Sequence, residues 1–166
     1  QLNVSYRYVG WLLTVPLLLL ELVLVIRLKR EETFSLGAKL TIAAIIMVLL
    51  GYFGEGLVGS DQLHERWIYW SLAMFPFLFI LYNLIIKLKN PISNQPKIVQ
   101  SLVSNSRWLL ITSWTIYPVV YLLPIFKPST SYVNLQVGYT VADILSIAAF
   151  GIMIYLIAQR KSDIGA

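Results

Sequence analysis

Arg7, Gly10, Thr14 and Glu21 follow one another at spacings of three, four and seven residues, which places them on one face of a helix. The stretch that holds them, RYVGWLLTVPLLLLE, is otherwise almost wholly apolar, and the run continues through Val25. An arginine and a glutamate on one face of a membrane helix are costly, so they are expected to look inward, towards a partner or a polar cavity. Residues of this kind could form an ion or proton path. The alternative is that Arg7 snorkels to the interface while Glu21 sits near the other end. A second polar group stands far along the chain in YTVADILSIAAFG, where Tyr139, Asp143 and Ile147 fall at i, i+4 and i+8. A lone carboxylate in hydrocarbon is disfavoured as an anion, whereas one paired with Arg7 keeps its charge. Arg7 and Asp143 are therefore expected to meet. The segment SWTIYPVVY brings Trp114, Tyr117 and Pro118 together at mid-span depth, as packing or as the wall of an apolar ligand pocket.

Composition says what must carry these groups. With 58% hydrophobic and 13% charged residues in 166 and a mean hydropathy of +0.73, the chain is not a soluble domain. Repeated apolar stretches long enough to cross a bilayer make it an all-α, polytopic membrane bundle. Five spans are expected, at about 5–26, 37–55, 66–87, 106–125 and 133–158, in a single transmembrane domain covering 1–166. Lys39 near the start of the second span argues for a start no earlier than 37. Pro16, Pro76 and Pro118 fall inside spans, which membrane helices tolerate. The connectors RLKREETFS, GEGLVGSDQLHER, KLKNPISNQPK and FKPSTS are too short to be domains, and no internal repeat is evident.

Without cysteine there is no disulfide or thiolate chemistry, and His64, the single histidine, has no metal-ligand companion. No metal and no nucleic-acid partner is expected; the net charge of +5 reports topology. Arg27, Lys29, Arg30, Lys39, Lys87, Lys89, Lys97, Arg107, Arg160 and Lys161 share one side, with only Arg7, Arg66 and Lys127 opposite. The positive-inside rule then puts the C-terminus in the cytoplasm and residue 1 outside, in a multi-pass protein of the cell membrane. An outside N-terminus entering a span with no visible signal is awkward for insertion, and an even number of further spans before Gln1 is expected.

RYVGWLLTVPLLLLE, GYFGE, SWTIYPVVY and YTVADILSIAAFG, in this order, resemble the third, fourth, sixth and seventh helices of microbial rhodopsins, the proteorhodopsin subfamily most closely. The span 66–87, with Trp67 and Tyr82, fits the fifth helix. The resemblance covers essentially the whole chain and implies most of a seven-helix bundle, with the first two family helices missing. It also implies a site for all-trans retinal, which the family binds as a protonated Schiff base on a seventh-helix lysine. By that likeness Arg7 matches the family arginine, Asp143 the seventh-helix counterion, Tyr139 a tyrosine beside it, and Glu21 a cytoplasmic proton donor. Trp11, Met47, Trp114, Tyr117 and Pro118 match walls of the chromophore pocket, which Thr14 and Ile147 would also line, and Leu18 matches a colour-tuning position.

Two positions depart from the family pattern. The lysine belongs four residues after Asp143, where this chain has Ile147, and the Phe150–Gly151 pair at the family's distance argues against a slip in register. The carboxylate that accepts the Schiff-base proton belongs three residues after Arg7, where this chain has Gly10. Isoleucine forms no imine and glycine accepts no proton. Loss of one positive and one negative group is electrostatically consistent, since Arg7 and Asp143 can then neutralise each other. The expected function is that of a non-enzymatic, non-pumping homologue with a binding, sensory or structural role, holding retinal or a carotenoid non-covalently at most. The alternatives are a retinal-dependent light-driven proton pump represented by an incomplete or altered chain, which Glu21 favours, and a channel or transporter unrelated to light. The two absent helices should leave one flank apolar and open, to be covered by lipid, another subunit or a second copy.

Overall fold

A computed structural model of the chain describes residues 2–57, 63–127 and 132–165; the sequence segments 58–62 and 128–131 of the expected outer loops lie outside them. The described residues are helical almost throughout. Helix α1 runs Leu2–Ile26. α2 runs Arg30–Tyr52 and ends in a wider π turn, Phe53–Leu57. α3 runs Leu63–Tyr82 and also passes into a π turn, Asn83–Lys87. After the short α4, Lys89–Ser93, α5 spans Lys97–Phe126. α6, Tyr132–Asp143, continues through a π segment, Ile144–Ala149, into α7, Phe150–Asp163. Five of the resulting rods are long and apolar enough to cross a membrane.

Two helices begin well before the expected spans, α2 at Arg30 instead of 37 and α5 at Lys97 instead of 106. Hydropathy marks the hydrocarbon-embedded part, while backbone hydrogen bonding continues into water. Glu31 and Glu32 lie in the first turn of α2, where carboxylates complement the positive end of the helix dipole.

α1 packs along α2, α2 along α3, and α5 against α6 and α7, with a thinner contact between α1 and α7 closing the arc. Two clusters of buried side chains fill it. One, around Leu22, Leu84, Leu110 and Phe150, occupies the half nearer the basic connectors. The other, around Tyr8, Trp11, Val120 and Tyr139, fills the Arg7 half. Val15, Met47 and Tyr117 pack against both, so the middle of the bundle is where the clusters join.

The basic end is tied by polar bonds. Arg27 turns the chain out of α1 with a left-handed backbone, φ 57°, leaving terminal carbonyls to be satisfied. Lys161, only 3% exposed, donates to Val25 O at 2.7 Å and to Gln95 Oε1 at 2.5 Å. Gln95 Nε2 in turn donates to Ile26 O at 2.9 Å. A lysine from the last helix thus caps the negative end of the first, a favourable placement for its charge.

One flank is open. Tyr6, Val9, Leu13, Leu17 and Leu24 form an exposed stripe along α1, and Val133, Val137 and Val141 another along α6.

Candidate functional site

Arg7 and Asp143, 136 residues apart, meet where α1 faces the junction of α6 with its π segment. Arg7 Nη1 donates to Asp143 Oδ2 at 2.9 Å, and Nη2 donates to Thr140 Oγ1 at 3.2 Å. One helical turn past Arg7, Trp11 Nε1 donates to Asp143 Oδ1 at 2.8 Å. Tyr117, from α5, donates its hydroxyl to the same oxygen at 2.7 Å. Both carboxylate oxygens are therefore engaged by donors from two other helices. Bonds to a charged acceptor contribute about 1.5–3 kcal/mol each, net of solvation. The Tyr117 oxygen also lies 2.9 Å from Ser146 Oγ. In a regular α-helix Ile147 would follow Asp143 on the same side; in the wider π segment Ser146 is buried, whereas Ile147 is 36% exposed.

A second carboxylate stands beside the first. Glu55, in the π turn ending α2, accepts the hydroxyls of Tyr8 at 2.8 Å and Tyr139 at 2.9 Å on one oxygen, Oε2. Tyr139, with 1% of its surface exposed, separates the two acids. Its ring is 5.2 Å from that of Trp11, and the Arg7 guanidinium sits 5.8 Å from its centroid. Below Glu55, Arg66 and Tyr121 lock α3 to α5: Arg66 Nη2 donates to Tyr121 O and the Tyr121 hydroxyl donates to Arg66 O, each at 3.2 Å. Gly54 is required for this approach, because a Cβ there would fall on the Tyr121 hydroxyl. At Gly10, by contrast, a Cβ would meet nothing within 4 Å.

Between these groups and the middle of the bundle lies an apolar cavity of about 90 Å³, walled by Trp11, Met47, Trp70, Phe77, Trp114 and Tyr117 among others. That is room for a ring-sized group, and flexible Met47 and Met74 at its wall can yield to a longer one. Of the residues expected at the pocket, Trp11, Met47, Trp114, Tyr117 and Pro118 line it. Thr14, Leu18 and Ile147 do not: Thr14 bonds back to Gly10 O, Leu18 belongs to the other half's core, and Ile147 stands outside. Glu21 is exposed on the open stripe of α1, about 21 Å along the axis from Arg7. It is not part of the Arg7 constellation. Tyr139 lines the cavity, and its hydroxyl goes to Glu55.

Sequence reasoning missed Glu55, Tyr8, Ser146 and Lys161 as participants. Glu55 lay within the quoted string GYFGE, and its place at the Arg7 end of a span, at the depth of Tyr8, was the available signal. No lysine lines the cavity among the described residues, and no group of three metal-ligating side chains occurs among them.

Comparison with known proteins gives these contacts a lineage. The family model described as Bacteriorhodopsin-like protein matches residues 1–160. The green-light absorbing proteorhodopsin of Gamma-proteobacterium EBAC31A08 is 29% identical over 161 residues, covering 95% of this chain and 62% of the relative. Among solved structures, xanthorhodopsin, described as a light-driven ion pump with dual chromophore, superposes with a TM-score of 0.87 at 44% identity, covering 96% of this chain and 64% of that one. A thermophilic rhodopsin superposes with a TM-score of 0.86 at 38% identity, over 95% of this chain and 63% of that one. The chain thus spans a little under two thirds of the length of these relatives. The family model covers nearly the whole chain, and five apolar helices superpose on these structures; the chain belongs to the family of bacteriorhodopsin-like proteins, the microbial rhodopsins.

Proposed function

We propose that this chain is a microbial-rhodopsin homologue that does not pump protons and binds a polyene, retinal or a carotenoid, without a covalent bond. The observation that carries the reading is the state of Asp143. Its oxygens are occupied by Arg7, Trp11 and Tyr117, so its charge is balanced from within the protein and needs no protonated imine beside it. Covalent retinal does not fit the residues present, since the cavity wall offers no amine and Ile147 stands at the position carried over from the family lysine. The apolar aromatic lining matches a polyene in chemistry, and Met47 and Met74 would have to yield to admit its length. The role is sensory, structural or ligand-holding, with no enzymatic step.

On this reading the five spans are part of a seven-helix bundle in the cell membrane, with residue 1 outside and the basic connectors in the cytoplasm. The exposed stripes of α1 and α6 are then covered, by two further helices, another subunit, a second copy or lipid. Glu21 sits on the α1 stripe, and a carboxyl there calls for a polar partner from whatever covers it.

A second reading, a retinal-dependent light-driven proton pump, is favoured by one specific observation: xanthorhodopsin is described as a light-driven ion pump. The two separate cleanly by substitution. Ile147→Lys, whose long stem would have to reach the cavity from outside its wall, should with added all-trans retinal create a visible absorption band. Adding Gly10→Asp, for which the structure has space, should move that band to shorter wavelength and restore some light-driven proton release in vesicles. The unsubstituted chain should show no light-driven pH change. A pH change from the unsubstituted chain would establish the pump.

A further inference from the structure

Seven side chains line the cavity with a hydroxyl or indole N–H that could serve a ligand, and six of them, all but Trp114, donate to the protein instead. Trp11 and Tyr117 donate to Asp143, and Tyr8 and Tyr139 to Glu55. Tyr121 donates to Arg66 O and Trp70 to Pro118 O. The cavity therefore meets its contents with ring faces and hydrocarbon, plus one neutral donor, the Trp114 indole N–H.

The acids behind those rings are spoken for as well. Asp143 is paired with Arg7 at 2.9 Å, a contact that leaves no net charge for a ligand to balance. A cation inside would have to displace the guanidinium or stay unpaired, and an anion would have to compete with Asp143 for Arg7. An unpaired charge in a dry site is strongly disfavoured. We infer that the site selects a neutral, hydrocarbon-rich polyene and rejects charged ones, with Arg7 as the specificity-determining residue, an inference that rests on the non-covalent reading above. Arg7 touches no ligand in this account. It acts by occupying Asp143, the carboxylate behind Trp11 and Tyr117; the other, Glu55, is held by the Tyr8 and Tyr139 hydroxyls.

The test uses the chain in lipid nanodiscs, with quenching of tryptophan emission as the readout, since Trp11, Trp70 and Trp114 line the cavity. The probes are all-trans retinol and its analogue carrying a trimethylammonium end group, whose charge does not titrate. Retinol should bind saturably, and the cation at least about tenfold more weakly, each factor of ten being about 1.4 kcal/mol. Arg7→Gln, which leaves Asp143 without its cation, should narrow or reverse that preference. Equal affinity of the unsubstituted chain for both probes overturns the inference and leaves polyene binding intact. Saturable binding of neither overturns the non-covalent reading itself. Because the comparison is made first on the unsubstituted chain, it stands whether or not the Arg7 variant folds.

Discussion

Asp143 draws a guanidinium, an indole and a phenol to one carboxylate, and removing it leaves the Trp11 indole without an acceptor and Arg7 and Tyr117 with only Thr140 and Ser146. Asp143→Ala alone should therefore destabilise the protein by about 3 kcal/mol, the lower end of the range for broken buried pairs because both side chains keep some exposure. Replacing Arg7 and Asp143 together by apolar residues of similar volume should cost less than that single change. Unfolding in mixed micelles measures both, and a double variant less stable than Asp143→Ala would contradict the pairing. This contact was legible because charges are rare in the spans, so a lone cation and a lone anion in the same half had few other places to go. Glu55 was not legible on the same grounds. It lies where span passes into loop, and composition does not separate a solvated terminal glutamate from one gripped by two tyrosines. Ser146 was within reach of the same spacing argument, three residues after Asp143, but a serine in an apolar span carries no charge to draw the eye.

The helices are held at two places, and each gives its own expectation. Where α2 meets α5, Gly54 leaves room for the Tyr121 hydroxyl, so Gly54→Ala should cost about 1–3 kcal/mol through overpacking. Gly10→Ala, on the same bundle with open space at its Cβ, should be neutral or slightly stabilising, since alanine is the better helix former. Thermal unfolding of the two variants side by side checks this, and equal losses would contradict the close approach. At the basic end, Lys161→Met should release Gln95 and the terminal carbonyls of α1. The expected sign is faster amide exchange over 88–96 with little change around Trp11, measured by hydrogen–deuterium exchange in nanodiscs. The existence and order of these helices followed from hydropathy alone. Their starts did not, because α2 and α5 run past the hydrocarbon on polar residues that a hydropathy window leaves out.

Across the whole bundle, ten of the 13 lysines and arginines fall at one end, and the proposed orientation puts that end in the cytoplasm. Because the chain has no cysteine, single cysteines give an uncluttered check. Lys97→Cys should react with a membrane-impermeant maleimide only after cells are opened, and Lys127→Cys should react from outside in intact cells. The reverse pattern would contradict the orientation. The exposed stripes on α1 and α6 follow from the same reading of five spans. The central claim, a rhodopsin-family bundle whose polyene site makes no imine, is tested most directly by one spectrum. The purified, unsubstituted chain is mixed with all-trans retinal, its absorption recorded, and the sample then treated with borohydride and analysed by mass. The account predicts a spectrum close to that of unmodified retinal and no retinyl mass on the protein. A red-shifted visible band that borohydride converts into a stable adduct on the chain would contradict it.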